Sequence, residues 1–151
     1  MSGPDERFGQ VDILLVEDSS ADAELTLRAL RRNRLANRVH WVKDGAEALE
    51  FMFRCGRYAA RDPAITPKLV MLDIQMPRVD GIEVLRRLKA DPATRQVPVV
   101  VMTSSDEERD VADSYALGVN SYIVKPLQFE AFHETVTKVG LYWVVSNRVP
   151  R

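Results

Sequence analysis

The sequence predicts an α/β fold: a flavodoxin-like five-stranded parallel sheet in the order 2-1-3-4-5 with helices on both faces. Three observations carry this. Five short apolar runs, at residues 11–16, 39–42, 69–72, 97–102 and 122–124, alternate with five segments of helical spacing. That alternation is the signature of βαβ units. The first and fourth runs are continuous in character rather than alternating, as strands covered on both faces must be. Finally, 151 residues with 46% apolar and 28% charged content suit one domain with a real core and a solvated surface. Right-handed crossovers leave few arrangements of five such strands, and 2-1-3-4-5 is the favoured one.

The elements follow in order. Behind the first run, Ser19-x-x-Asp22 predicts a helix cap, with the helix opening at Ser20 and reaching about Asn33. The second helix is expected from about Gly45 to Arg54, with Ala48, Leu49, Met52 and Phe53 on one side. A long connection over residues 57–68 follows, in which Pro63 and Pro67 break any helix. The third helix starts near Gly81, uses Ile82, Leu85 and Leu88, and stops before Pro92. The fourth begins after Asp106 and ends at Leu117-Gly118, where glycine supplies the stop. The fifth starts after Pro126, is the longest, and reaches Tyr142 or beyond. No repeat, low-complexity stretch or linker interrupts the chain. One domain over residues 1–151 is expected, its core at about 11–144, with short tails and no output domain.

Composition closes off several classes. Lys and Arg number 21 against 22 Asp and Glu, a net charge of −1, so no general attraction to nucleic acid or an anionic membrane is expected. The single cysteine, Cys55, excludes an internal disulfide framework and a multi-cysteine metal site, and reads as a small buried or half-buried apolar residue. No apolar run approaches the ~20 residues needed to cross a bilayer. The first ten residues are polar and lack a signal-peptide core, so a cytoplasmic location is expected. His40 and His133 are isolated and read as structural or surface residues.

In open α/β sheets the functional crevice lies beyond the carboxyl ends of the strands, at the switch point. Here the first strand ends in Glu17-Asp18, the third in Asp73, the fourth in Thr103-Ser104 and the fifth in Lys125-Pro126. In the order 2-1-3-4-5 the first and third strands are neighbours, so Glu17, Asp18 and Asp73 converge. Such a trio is stable only if protons or a cation neutralise it. With oxygen ligands alone, the cation implied is hard, Mg2+ or Mn2+. A carboxylate can attack phosphorus to form an acyl phosphate, while a lysine and a hydroxyl neutralise phosphoryl oxygens. Asp73, on the central strand, is the nucleophile candidate, and Glu17 and Asp18 are the metal holders.

These residues sit in the stretches ILLVED at 13–18, VMLDIQMPRVDG at 70–81, VVVMTSS at 99–105 and SYIVKPL at 121–127. With them, the chain resembles a receiver domain of two-component response regulators over most of its length. The resemblance implies that Asp73 is the phosphoacceptor, and that the cell's phosphoryl donor is a sensor histidine kinase. It implies Asp18 as a direct magnesium ligand, Glu17 as a second acid acting largely through water, and the backbone carbonyl of Gln75 completing the protein's share of the metal shell. Lys125 would pair with the phosphoryl group and Thr103 would swing toward it, with Tyr122 changing rotamer in step. The Lys125-Pro126 bond would be cis, an isomer open to X–Pro. Two departures are small: the acidic pair is Glu-Asp rather than Asp-Asp, and Gln75 stands two residues after Asp73. Because that position influences how water reaches an acyl phosphate, the lifetime of a phosphorylated form stays open. Such a protein is a signalling phosphoacceptor rather than an enzyme acting on other molecules.

Output is then expected through protein–protein contacts. The last helix carries Phe129, Phe132, Val136, Val139 and Trp143 at core-facing spacing, with Leu141, Tyr142, Val144 and Val145 adding apolar surface. A homodimer is expected through the end formed by the fourth helix, fifth strand and fifth helix, with Phe132, Tyr142, Trp143 and Val144 on its surface. Arg28, Arg31, Arg32, Arg34 and Arg38 cluster around the end of the first helix, where they complement its dipole or, by the resemblance, help choose the kinase. The loop RCGRYAARDPAITPK, the phrase DGAEALEF and the terminus GLYWVVSN resemble stand-alone regulators paired with bacterial phytochromes.

Rival classes fare worse. A flavin carrier wants a Gly- and Ser/Thr-rich phosphate loop after the first strand, where EDSSADAE would repel phosphate. A haloacid-dehalogenase-type phosphatase needs a D-x-D pair that Asp73-Ile-Gln lacks. A degenerate receiver acting as a scaffold would not need the full set of acids, hydroxyl and lysine.

Overall fold

The fold was analysed in a computed structural model, which describes residues 11–32, 38–62, 66–76, 79–104 and 106–147. Five strands, β1 (Ile13–Val16), β2 (Val39–Val42), β3 (Leu69–Leu72), β4 (Val99–Thr103) and β5 (Ser121–Val124), alternate with helices α1 (Ser20–Arg32), α2 (Gly45–Phe53), α3 (Gly81–Ala90), α4 (Glu108–Ala116) and α5 (Phe129–Gly140). All neighbouring strands pair in parallel, in the order β2-β1-β3-β4-β5. The predicted architecture is the observed one.

Strand residues alternate between two buried layers. Leu14, Val16, Val70, Leu72, Val99 and Val101 face the layer of α2 and α3, with Ala48, Phe51, Met52, Val84, Leu85 and Leu88. Ile13, Leu15, Leu69, Met71, Val100 and Met102 face α1 and α5, with Ala23, Ala29, Leu30, Phe132, Val136 and Val139. The central strands bury every residue, which explains why their sequences show no polar alternation.

Boundaries moved for local reasons. The fourth run starts its ladder at Val99 rather than Val97, because Pro98 has no N–H to contribute, although its carbonyl accepts from Val70. The Ser19 hydroxyl accepts from Asp22 N at 3.2 Å, so the predicted α1 cap is present. The α2 helix stops at Phe53 because Arg54 turns left-handed (φ 54°). In the loop that follows, Gly56–Tyr58 form a short 3-10 turn. Buried Arg61 caps the last carbonyls of α2, donating from Nε to Phe51 O at 2.8 Å and from its terminal nitrogen to Met52 O at 3.2 Å. Gly118 ends α4 with φ 95°, as expected. Beyond α5 the chain continues as a π-helical segment, Leu141–Ser146.

Several expectations are corrected. Cys55 is exposed, because it lies just after the left-handed stop rather than on the packed face of α2. Phe132 belongs to the core, only 5% exposed, and Trp143 and Val144 are half-buried against the same layer. Of the four residues expected on a dimer surface only Tyr142 stands out, at 54% exposure. Phe129, which opens the apolar stripe, is exposed because it sits at the first turn of α5, ahead of the packed face. Arg28 pairs with Glu24 at 3.2 Å in solvent, and Arg31 and Arg32 lie exposed in the last turn of α1. Arg34 and Pro63 lie outside the described residues, as do Pro77, Arg78 and Ser105 of the quoted motifs. Among the described residues, no helix is long and apolar enough to cross a membrane.

Two contacts give stability predictions. Gly81 opens α3 directly under the loop after β3, where a Cβ would lie 2.4 Å from Asp73 O and 2.4 Å from Ile74 Cα. Gly81→Ala should therefore lower stability by about 1–3 kcal/mol in a urea melt, the usual scale for overpacking.

His40 stacks on Phe51 with ring centroids 4.9 Å apart, and its Nε2 lies 2.7 Å from the Tyr58 hydroxyl, which donates to Glu47 at 2.6 Å. Because the phenol hydrogen goes to Glu47, His40 Nε2 carries its own hydrogen and donates to Tyr58. Burial lowers the His40 pKa below 6.5, with the Glu47 charge pulling the other way. The unfolded chain therefore takes up a proton on acidification before the native state does. Its contribution is fully present above pH 6.5 and is lost as pH falls below that value through the lower native pKa. The thermal midpoint should drop between pH 7.5 and 5.5, and the drop should be smaller in His40→Gln.

Candidate functional site

The parallel registers place the acids. Val16 pairs with Leu72 across β1 and β3, so the next residues, Glu17 and Asp73, leave the sheet side by side. Glu17 N still donates to Val42 O, and Asp73 N to Val16 O, both at 3.1 Å. Both backbones are thus anchored to the sheet while the side chains face the crevice beyond it. Glu17 and Asp73 are buried, and Asp18 is exposed. One carboxylate oxygen from each of the three lies within 4.8 Å of the others.

Each group is further pinned. Glu17 accepts from Ser19 N at 3.2 Å through one oxygen, and its carbonyl accepts from the Trp41 indole at 2.8 Å. Asp73 Oδ1 accepts from Gln75 N at 2.9 Å, and the Gln75 side-chain oxygen accepts from Ser104 at 2.9 Å. Thr103 closes β4, fully buried, and its carbonyl accepts from Lys125 N at 2.7 Å. Tyr122, one strand over and opposite Val101, is half-buried against the α2 and α3 layer.

Lys125 joins these parts. Its ammonium, on a side chain 9% exposed, lies 2.5 Å from Glu17 Oε1, 2.9 Å from Asp22 Oδ2 and 3.0 Å from Asp73 Oδ2. An ammonium has three N–H groups, and all three are used. Beneath them a small cavity is lined by Glu17, Thr26, Asp73 and Lys125 together with the apolar Leu15, Val16, Met71, Leu72 and Met102, so the ion cluster borders the buried core. Burial pushes the Glu17 carboxyl up to about 7, against the hydrogen bond and charge of Lys125 and with the Asp73 charge adding to the rise. Burial works against the Lys125 charge as well, but its bond to Glu17 and the charges of Asp73 and Glu17 outweigh it, so its pKa is raised. The lysine therefore keeps its charge.

The structure therefore brings together Glu17, Asp18, Asp73 and Lys125, with Thr103 at the end of β4 and Gln75 in the loop after β3. The Lys125-Pro126 bond is trans, as is every peptide among the described residues, and the expectation of a cis bond fails. Trans is favoured at X–Pro by about 0.5–1 kcal/mol, and with it the ammonium reaches all three carboxylates. Sequence reasoning also missed Asp22, which it used only as part of a cap. The available signal was its place four residues after Asp18, on the first turn of the helix that rises from the site.

Chemically, the trio is an all-oxygen, partly buried donor set whose negative charge one ammonium does not balance. That fits a hard divalent cation. Each Asp73 oxygen is held by one donor and keeps a second lone pair, so a carboxylate fixed in place remains able to act as a nucleophile.

The chain was compared with known proteins. Residues 13–137 match the family described as response regulator receiver domain. Synechocystis Rcp1, a response regulator, is 35% identical over 91% of this chain and 92% of its own length. The Mn(2+)-bound structure of Rcp1 superposes with a TM-score of 0.85 over 92% of this chain and 98% of that one, at 34% identity. The phosphorylated cyanobacterial phytochrome response regulator RcpA gives a TM-score of 0.86 over 94% and 99%, at 36% identity. FilR2 of Methanothrix harundinacea, described as a probable methanogenesis regulatory protein, is 41% identical over 91% of this chain and 86% of its own length. The match starts at the first residue of β1 and runs into α5, and it includes every strand end that faces the crevice. This chain belongs to the response regulator receiver domain family.

Proposed function

We propose that this chain accepts a phosphoryl group from a sensor histidine kinase onto Asp73, in a reaction dependent on Mg2+ or Mn2+, and signals through protein–protein contacts. The observation that carries the reading is the Lys125 ammonium 3.0 Å from a buried Asp73 at the end of the central strand, with Glu17 and Asp18 alongside. The phosphorylated RcpA structure and the Mn(2+)-bound Rcp1 structure, both at more than 30% identity, support phosphorylation and metal binding for this receiver. RcpA is a cyanobacterial phytochrome response regulator, which supports a phytochrome-type kinase as the donor here.

In this mechanism an Asp73 oxygen attacks phosphorus and the bond to the donor imidazole breaks, leaving an acyl phosphate. Asp18 and Asp73 would hold the cation directly, Glu17 largely through water, and the Gln75 carbonyl would complete the protein's ligands. When bound, the cation would neutralise the acids and the incoming phosphoryl oxygens. Lys125 supplies fixed positive charge where negative charge develops, the main protein contribution to phosphoryl transfer. The product carries nearly two charges and three acceptor oxygens. The Thr103 hydroxyl would turn toward them and Tyr122 would follow into the space it leaves. Such a change shifts the conformational balance only as far as the phosphate binds one state better.

The exposed apolar residues Tyr115, Val124, Leu127 and Phe129, on α4, β5, the connection after β5 and the start of α5, support an output face at that end, with a second copy of the chain as partner. A phosphorylation-independent scaffold is the weaker reading, because it leaves the buried acid and ammonium cluster without a purpose.

Acid-labile phosphate should accumulate on the wild-type protein with acetyl phosphate and Mg2+, fall to background with EDTA, and be absent in Asp73→Asn. Stoichiometric labelling of Asp73→Asn at another Asp would sink the assignment. Because Trp41 is hydrogen-bonded to the Glu17 carbonyl, its fluorescence should respond to Mg2+ and then to beryllofluoride. In Trp41→Phe most of that response should vanish although Trp143 remains.

A further inference from the structure

Lys125 has one acceptor that the proposed chemistry does not consume. Of its three carboxylate partners, Glu17 belongs to the trio that would hold the cation, and Asp73 loses its free carboxylate when it becomes an acyl phosphate. Asp22 is in neither position. It stands on the first turn of α1, outside that trio, with Oδ2 at 2.9 Å from Lys125 Nζ.

We propose that Asp22 is a positioning residue for phosphoryl transfer, holding the Lys125 ammonium in place through every state of the site. The inference rests on the reading of Asp73 as phosphoacceptor.

Asp22 is well placed for such a role. Its N–H donates to the Ser19 hydroxyl at 3.2 Å, and its carbonyl accepts from the Thr26 hydroxyl at 2.8 Å. The backbone that carries it is therefore fixed at both polar groups. The partial positive charge of the α1 N-terminus favours a carboxylate in that first turn. Lysine is a point charge on a flexible four-carbon stem, and this one crosses from the end of β5 to reach the acids between β1 and β3. With Asp22 in place, one N–H is held toward α1, and the other two face Glu17 and Asp73. A phosphoryl group on Asp73 then meets an ammonium already oriented toward it. With Asp22 removed, the buried ammonium has two acceptors, and it is free to follow whichever of them keeps its charge. The opposite possibility is that Asp22 competes with phosphate for the lysine, in which case its removal would speed labelling.

The test is a double-mutant cycle of Asp22→Ala and Lys125→Met, read as the rate of acid-labile labelling by acetyl phosphate at saturating Mg2+. Asp22→Ala should label about tenfold more slowly, short of the ~10²-fold that a 1 Å misplacement costs. Mg2+ affinity, read by Trp41 fluorescence, should change little. In the Lys125→Met background the same substitution should cost nothing further, since coupled residues are not additive. Asp22→Asn keeps an acceptor oxygen in place and should label faster than Asp22→Ala. Labelling of Asp22→Ala at or above the wild-type rate overturns the proposal, as does an equal loss with and without Lys125, or Asp22→Asn as slow as Asp22→Ala. Failure of the underlying reading looks different: wild-type protein would not label, or Asp73→Asn would.

Discussion

The structure is organised around an electrostatic conflict that a parallel sheet creates and one lysine contains. Adjacent parallel strands end together, so acids that follow β1 and β3 are forced side by side at the edge of the buried core. In water these charges would cost little, but beside buried Leu15, Val16, Met71 and Met102 they are poorly screened. Lys125 answers with three hydrogen bonds, and the cluster is tolerated because every N–H of the ammonium is satisfied. The remaining excess of negative charge fits the site to a hard divalent cation and, on the proposed reading, to a phosphoryl group. The Glu17 carboxyl is raised chiefly because it is buried, with the Asp73 charge adding to the rise.

The rest of the fold serves this geometry. Continuous burial of β1, β3 and β4 fixes strand register, because a one-residue slip would exchange the two core layers. Register in turn sets which residues leave the sheet first. The loop after β3 is confined from below by Gly81, whose missing side chain lets α3 approach the Asp73 carbonyl. Trp41 on the edge strand β2 ties the Glu17 carbonyl, so even the outermost strand contributes to holding the acids.

Fold and acids were legible in the sequence for the same reason. Apolar runs in a βαβ pattern dictate a parallel sheet, and a parallel sheet dictates where its strands end. Glu17, Asp18, Asp73, Thr103 and Lys125 all follow from that step. What escaped was set by side-chain reach rather than by periodicity. Asp22 contacts Lys125 across 103 residues of sequence, and nothing local in Ser19-x-x-Asp22 separates a cap from a ligand of a distant ammonium. Phe132 looked available for a partner because a helical stripe does not say which layer it will meet; α5 packs on α1, and that contact claims it. Arg61 reads as solvated in a loop sequence, yet the chain folds back to place it over Phe51 and the last carbonyls of α2. The peptide at Pro126 was inferred from resemblance, and backbone pattern carries no signal for the isomer.

The position of Lys125 also bears on how a chemical event at Asp73 could reach a partner. Its side chain points into the crevice, while its neighbours Val124 and Leu127 are exposed at 43% and 101%. Its N–H is bonded to the carbonyl of Thr103, whose own side chain is fully buried beside the site. On the proposed reading, a turn of the Thr103 hydroxyl acts beside a backbone that carries exposed apolar residues within two positions of Lys125. A long relay of side chains is unnecessary, since the same short segment has one end in the ion cluster and the other on the surface. On the proposed reading, the residue that stabilises the phosphoryl group also belongs to the face that reports it. With Asp22 holding the ammonium as well as Glu17 and Asp73, the charge that would meet the phosphoryl group keeps its place when Asp73 is modified.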